Sequence, residues 1–178
     1  PEFKKTWLLH SIYEPVIDPK NNSFELTESD GRLVCIPVLP KKIKVLKIGG
    51  SGDEFLVDST HFTCGLKSFI DPQELHYGEI PGAWRIEESP SEAAKEDYFL
   101  NVILVSDKSS REVPQIKVLT DNSSEITIQV NTADGKASVL KFTKGEKPTA
   151  HLKITNGKKI VVDENMPFKV ELEKGRTN

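Results

Sequence analysis

Short apolar runs, rich in Val, Ile and Phe and ended by turn residues, recur along the whole chain. Runs of this length and composition are typical of β-strands and not of helices. They lie at residues 7–12, 23–40, 41–48, 54–58, 83–89, 97–107, 115–120, 125–131, 137–143, 151–156, 158–164 and 168–173. This many short strands, without a convincing helix between them, predict an all-β protein built as an antiparallel β-sandwich.

Segment 23–40 has the pattern of a β-hairpin. Asp-Gly between two apolar runs favours a tight turn, because both central positions of such a turn adopt positive φ. Asp30 and Gly31 are therefore predicted to form the turn. Pro37 lies inside the returning run and has no N–H to donate, which predicts an edge strand or a β-bulge at that point.

In segment 83–89, residues 84–87 alternate between apolar and polar side chains. Because side chains alternate across a strand, Trp84 and Ile86 share one face. Arg85 and Glu87 share the other. We expect Trp84 to lie in the core and Arg85 to be exposed.

Segment 97–107 is the most apolar run of the chain, and both of its faces are apolar. This pattern predicts a central strand that is buried on both sides. The residues just before it, from Ser91 onward, have room for one turn of helix with Ser91 as its N-cap.

A length of 178 residues suits one ordinary domain or two small ones. The charged, serine-rich segment 106–114 is a candidate boundary. We therefore divide the chain into a β-sandwich region, 1–107, and a second part, 108–178. The second part is either a small C-terminal β-domain stacked on the first or a continuation of the same sandwich.

The charge is nearly balanced, with 24 basic and 27 acidic residues. This balance provides no long-range field that would gather a nucleic acid. No apolar stretch approaches the ~20 residues that span a bilayer. Four lysines make a basic strip along one predicted strand, at Lys41, Lys42, Lys44 and Lys47. Such a strip could bind sulfates or uronates, or it could protect an edge strand from pairing.

Neither the cysteines nor the histidines have the spacing of a metal site. Cys35 and Cys64 lie on different elements and fit no zinc or redox motif. Two buried free thiols are favoured over a disulfide. The four histidines are scattered, with no pair two residues apart on a strand. No metal and no cofactor is predicted.

The longest region without periodicity is 59–83, and long irregular segments are often functional. It contains His61, and it contains His76 directly before Tyr77. A Tyr–His pair can serve as acid and base. One hypothesis therefore gathers these three residues into a small active site.

Three segments resemble a known family: "KKTWLLHSIYEPVI" (4–17), "DGRLVCIPVLPKKIKVLKIGG" (30–50) and "PGAWRIEESPSEAAKEDYFLNVI" (81–103). They are similar to the β-region that follows the catalytic part of heparinase II/III-like proteins. These are polysaccharide lyases and relatives that act on heparin, heparan sulfate or alginate. The W-L-L-H strand, the L-P turn before Gly-Gly, and the step from W-R-I-E-x-S-P to Y-F-L-N-V carry the resemblance. It spans about residues 4–105.

In that family an α/α toroid precedes a β-sandwich, and tyrosine and histidine remove the proton α to the uronate carboxylate. Those groups lie mainly in the toroid and in earlier strands, so the resemblance carries no catalytic residue over to this chain. It implies a noncatalytic C-terminal β-sandwich of a larger periplasmic or extracellular enzyme. That domain would support the missing toroid and could contribute a loop to the cleft that touches the glycan, with an acidic polysaccharide as the partner of the parent enzyme. The isolated chain is expected to be inactive.

The alternative is an independent carbohydrate-binding module. Its candidate glycan contacts are His76, Tyr77 and Arg85, which combine aromatic and polar groups in and beside the long irregular segment.

Overall fold

The computed structural model of the protein describes residues 3, 5–50, 52–62 and 82–166. These residues form β-strands joined by turns and contain no helix. In chain order the strands are β1 (Trp7–Ser11), β2 (Val16–Ile17), β3 (Phe24–Glu28), β4 (Gly31–Leu39), β5 (Ile43–Gly49), β6 (Leu56–Val57), β7 (Thr60–His61), β8 (Trp84–Pro90), β9 (Leu100–Asp107), β10 (Gln115–Asp121), β11 (Glu125–Asn131), β12 (Lys136–Thr143), β13 (Ala150–Asn156) and β14 (Lys159–Met166). Every pairing between them is antiparallel. The predicted all-β class is confirmed.

The chain divides into two units, Pro1–Ser110 and Arg111–Asn178. The boundary falls inside the charged, serine-rich segment 106–114. Unit 1 contains a three-stranded sheet in the order β1-β8-β5, a four-stranded sheet in the order β2-β3-β4-β9, and the short β6–β7 hairpin. Unit 2 contains one five-stranded sheet, β10 to β14 in chain order.

The two larger sheets of unit 1 pack face to face around a small apolar core. Phe24 and Cys35 come from the four-stranded sheet, and Ile86 comes from the middle of the three-stranded one; all three are at most 1% exposed. The half-buried side chains around them come from both sheets: Trp7, Leu9, Ile17, Leu26, Leu33 and Val45. Complete burial of a side chain such as Phe24 contributes about 1.5–3 kcal/mol. The predicted antiparallel β-sandwich is therefore present in unit 1.

The β3–β4 hairpin turns one residue earlier than the sequence predicts. Glu28 pairs with Gly31, so Ser29 and Asp30 form the turn. Of these two, only Ser29 has positive φ, at 50°. Gly31 instead begins β4. Asp-Gly marked the position of the turn but not its register, because one positive φ suffices and Ser29 supplies it.

Pro37 lies at a β-bulge, which confirms one of the two predictions for it. The pairing of β4 with β9 shifts register between Pro37 and Leu39. A bulge leaves one residue of the strand out of the ladder, so the missing N–H of proline costs little there. The peptide bond Leu39–Pro40 is cis, at the turn that leads into β5.

The prediction that 97–107 is a central strand, buried on both sides, is wrong. In the described part of the chain, β9 is the outer strand of its sheet. Ile103 and Val105 pair with core-facing residues of β4, yet they are 46% and 72% exposed. The opposite sheet therefore does not extend over this end of β9. The residues from Ser91 to β9 also form no helical turn.

Unit 2 is a meander of hairpins, as the alternation of 125–131 and 151–156 indicates. Ile126 and Ile128 of β11 are its most buried apolar side chains, at 3% and 1% exposure. The predicted strand at 168–173 lies outside the described residues.

Candidate functional site

Arg85 was predicted to be exposed, and this is wrong: it is only 7% exposed. Alternation did place it correctly, on the outer face of β8 with Glu87. Its Nε donates to Glu87 Oε1 at 2.8 Å, and its Nη2 donates to the carbonyl oxygen of Leu56 at 2.6 Å. Hydrogen bonds of a charged donor are stronger than neutral ones. Arg85 therefore fastens Leu56, at the start of the β6–β7 hairpin, to the outer face of the sheet.

The β6–β7 hairpin explains why the exposure of Arg85 is lower than the alternating pattern predicts. It turns at Asp58 and Ser59, which both have positive φ, as a tight hairpin turn requires. Leu56 at its start reaches Arg85. A periodic pattern gives the face of a strand, but it does not show which distant segment covers that face. The burial of Arg85 carried no local sequence signal.

The other predicted site residues are not brought together in the described structure. His76, Tyr77 and Cys64 lie outside the described residues. His61, in β7, is exposed; its Nδ1 lies 3.0 Å from the carbonyl oxygen of Gly52 and 3.7 Å from Asp53 Oδ1. These contacts are local. The predicted glycan contacts therefore stay predictions, and Arg85 already uses its Nε and Nη2 inside the protein.

Trp84 packs against the Gly49–Gly50 turn. A Cβ at Gly50 would lie 2.8 Å from Cη2 of the indole, and one at Gly49 would overlap the carbonyl oxygen of Ala83. The ammonium of Lys47 lies 5.5 Å from the centroid of the Trp84 ring, a distance at which a cation and a π-system attract. Trp84 is half-buried. It supports a turn, whereas Trp7 packs against the core cluster.

Two lysines of the basic strip, Lys44 and Lys47, lie on β5, an outer strand of its sheet among the described residues, and Lys41 and Lys42 directly precede it. Lys42 pairs with Glu92 at 2.6 Å, and Lys47 pairs with Glu14. These partners neutralise part of the positive charge that a sulfated or uronate glycan would need. The arrangement agrees better with a charged edge that resists strand pairing.

A cleft of about 630 Å³ opens at one end of the sandwich. Its walls come from the end of β1 and the residues after it, from the β3–β4 hairpin, and from Val105 of β9. The apolar side chains that line it are Leu9, Ile12, Leu26, Leu33 and Val105, and the charged or aromatic ones are His10, Tyr13, Glu28 and Arg32. No sequence motif indicates this cleft, because its residues come from separate elements of the chain.

The charged groups of the cleft do not suit an anionic ligand. Arg32 is 6% exposed and donates from Nη2 to Glu25 Oε2 at 2.7 Å. That hydrogen bond raises the pKa of the Arg32 guanidinium further. Its charge is thus already balanced, while Glu28 adds a negative group to the lining. An acidic polysaccharide would meet little net positive charge here.

A polar pair crosses the sandwich interior. Glu88 of β8 is fully buried, at 0% exposure, and its Oε2 accepts a hydrogen bond of 2.8 Å from Asn101 Nδ2 of β9. Burial raises the pKa of Glu88. Cys35 is a free thiol at 0% exposure, as predicted, and burial raises its pKa to about 12, with the charge of an ionised Glu88 as a second cause.

No described group of three or more His, Cys, Asp or Glu residues is arranged to hold a metal ion. Among the described residues there is also no helix long and apolar enough to cross a membrane.

No protein-family model matches this chain, and no curated protein matches it significantly.

Proposed function

We propose that this chain is the noncatalytic β-sandwich part of a larger heparinase II/III-like polysaccharide lyase, located in the periplasm or outside the cell. In this proposal its task is to support the catalytic toroid. The observation that supports the proposal is that one strand from each of the three segments of the resemblance, which are far apart in sequence, lies in the same sheet, while the rest of the segments contributes to the opposite sheet. The W-L-L-H strand is β1, the strand before Gly-Gly is β5, and the W-R-I-E strand is β8 between them.

The residues of these segments serve packing and turns. Trp7 pairs with Glu88 and Ser11 pairs with Trp84 across the β1–β8 ladder. Gly50 leaves space for the Trp84 ring. A pattern made of core residues and turn glycines is what a supporting domain requires. It is not what a proton-transfer site requires, because such a site needs titratable groups aimed at a substrate.

The cleft favours a protein partner over an acidic glycan. Its apolar lining includes Val105, which is 72% exposed, and its arginine is already paired with Glu25. Covering an apolar surface of this kind with another protein surface lowers the free energy, because it removes apolar atoms from water. Under the proposal, the covering surface belongs to the toroid of the parent enzyme.

The experiment has two parts. The isolated chain and the parent lyase are assayed on heparin, heparan sulfate and alginate by the ultraviolet absorbance of the unsaturated uronate product. We expect turnover from the parent only. Measurable elimination by the isolated chain contradicts the noncatalytic assignment.

The second part tests the supporting role with Val105→Asp. Because Val105 is exposed, we expect the isolated variant to unfold at the wild-type temperature, while the toroid of the parent enzyme loses about 1–3 kcal/mol of stability. Val118→Asp is the matched control, since Val118 is a 41% exposed valine of unit 2. An unchanged toroid in the Val105 variant would remove the cleft from the interface.

A carbohydrate-binding module is the second candidate. The observation that favours it is the Tyr13 ring, which is 51% exposed at the cleft and could stack on a sugar. Calorimetric titration of the isolated chain with neutral and acidic oligosaccharides tests it. Saturable binding that Tyr13→Ala abolishes would favour this function over the supporting role.

A further inference from the structure

If Glu88 is a carboxylate, it and the Asn101 amide make one hydrogen bond with each other, and one buried oxygen of each side chain has no hydrogen-bond partner. Asn101 Nδ2 donates to Glu88 Oε2 at 2.8 Å. The remaining oxygen of each group, Glu88 Oε1 and Asn101 Oδ1, is buried and has no hydrogen-bond partner. An ionised carboxylate only accepts hydrogen bonds. In that form, both oxygens would stay without a donor in the sandwich interior, at a cost in desolvation.

A single proton on Glu88 Oε1 would let both of these oxygens take part in a hydrogen bond. A carboxylic acid and a primary amide each offer one donor and one acceptor along the edge that they share. The acid hydroxyl donates to the amide oxygen while the acid carbonyl accepts from the amide N–H. We propose that Glu88 is protonated in the folded protein at neutral pH and donates from Oε1 to Asn101 Oδ1, so that a neutral acid–amide pair joins the two sheets of unit 1.

Among the described residues, no cation contributes to the pKa shift of Glu88. Lys47 lies on the same face, opposite Ile86, but its ammonium pairs with Glu14. The neighbours of Glu88 across the ladder are Trp7 of β1 and Val45 of β5. From the opposite sheet it meets Asn101, and Cys35 lies near enough to feel its charge. Of these neighbours only Cys35 titrates, and it is a neutral thiol at physiological pH. The strand alternates, so the guanidinium of Arg85 lies on the other face.

The two effects on the proton affinity of Glu88 can be ranked. Burial is the larger, and it raises the pKa; the Asn101 hydrogen bond lowers it. The folded state therefore binds this proton more tightly than the unfolded state does. The stabilisation is complete below the ordinary pKa of a glutamate, and it is lost as the pH rises through the raised pKa of the folded state. The pair acts as a pH-sensitive link between the sheets.

The test replaces the acid by its neutral isostere, Glu88→Gln. The glutamine amide can donate to Asn101 Oδ1 and accept from its Nδ2 without any proton uptake. Both tryptophans, Trp7 and Trp84, lie in unit 1, so tryptophan fluorescence in urea follows this unit alone. We measure the unfolding equilibrium from pH 4 to 9. Each unit by which the folded pKa exceeds the unfolded one changes the wild-type unfolding constant up to tenfold over that interval.

We expect the stability of the wild type to fall relative to that of Glu88→Gln as the pH rises. Glu87→Gln is the control on the same strand: its carboxylate pairs with Arg85 at 2.8 Å, so this change should remove stability at neutral pH. Equal pH dependence in the wild type and in Glu88→Gln overturns the proposal. If the variant does not fold, the ¹³C shift of Glu88 Cδ in the wild type decides. A carboxyl that titrates near the ordinary glutamate pKa in the folded protein also overturns it.

Discussion

The indole of Trp84 lies so close to Gly50 that a Cβ at residue 50 would be 2.8 Å from its Cη2 atom. This contact joins β8 to the turn after β5, which also carries the Gly50 N–H to Ala83 carbonyl hydrogen bond of 3.0 Å. The glycine pair is therefore required by packing as well as by its positive φ angles.

Three glycine-to-alanine variants separate backbone strain from steric overlap. Gly52 has φ of 94° and nothing within 4 Å of an added Cβ, so Gly52→Ala should cost only about 1 kcal/mol of unfolding free energy. Gly50→Ala adds the contact with the Trp84 ring, and we expect a loss of about 2–3 kcal/mol. Gly49→Ala should lose the most unfolding free energy, because the added Cβ meets backbone atoms of Ala83 and Trp84, which cannot rotate away as a side chain can. Urea unfolding followed by tryptophan fluorescence measures the series; equal losses for Gly50 and Gly52 would contradict the packing role.

Arg85→Ala should destabilise unit 1 by about 2–4 kcal/mol, since it removes two hydrogen bonds made by a buried charged group. Lys42→Ala is the control, because the Lys42–Glu92 pair is 73% and 72% exposed and an exposed pair contributes less than about 1 kcal/mol. The same urea titration measures both variants. A wild-type midpoint for Arg85→Ala would contradict the assigned role of the residue in holding Leu56 to the sheet.

Cys35 should be almost unreactive in the folded protein. Because burial is the main cause that raises its pKa to about 12, very little of the thiol is ionised at pH 8, and the thiolate is the reactive form. In a Cys64→Ser variant, which leaves Cys35 as the one thiol, we expect labelling by a disulfide reagent to be at least about 100-fold faster in denaturant. Rapid labelling without denaturant would show that the core opens at this point.

We expect Lys144 to contribute more to the stability of unit 2 than the exposed paired lysines of that unit do. Its Nζ lies 2.7 Å from Asp121 Oδ1 and 2.7 Å from the carbonyl oxygen of Asn122, and the two side chains of the ion pair are 12% and 14% exposed. Lys144→Ala should lower the stability of unit 2 by about 1–3 kcal/mol. Lys153→Ala is the control, with a 3.5 Å pair that is 41% and 42% exposed, and it should lose under about 0.5 kcal/mol.

Circular dichroism measures these two variants. Unit 2 has neither Trp nor Tyr. Tryptophan fluorescence therefore reports the unfolding of unit 1 alone, and a transition seen only by circular dichroism belongs to unit 2. Equal losses in the two lysine variants would contradict the assigned role of Lys144.

Alternation predicted the strands and their faces because it depends only on neighbouring residues. It placed Trp84 and Arg85 on opposite faces of β8 correctly, and Pro37 marked its bulge through the N–H that proline lacks. These signals are local, so a single sequence is sufficient to give them.

The exposure of a face depends on distant segments, and there the sequence was insufficient. Arg85 is buried because Leu56 reaches it, and Val105 is exposed because the opposite sheet ends before it. The cleft likewise arises where two sheets of unequal width meet. None of these relationships changes the apolar or polar character of the residues involved, so no pattern along the chain reports them.

Of the four outer strands that the described residues give the sandwich, β5 and β9 differ in their charge. β5 carries lysines along its length, whereas β9, "LNVILVSD", has neither lysine nor arginine. An apolar border without lysine or arginine can pair with the same border of a second molecule. The protein should therefore dimerise through β9 at high concentration, and a lysine in place of Val105 should keep it monomeric.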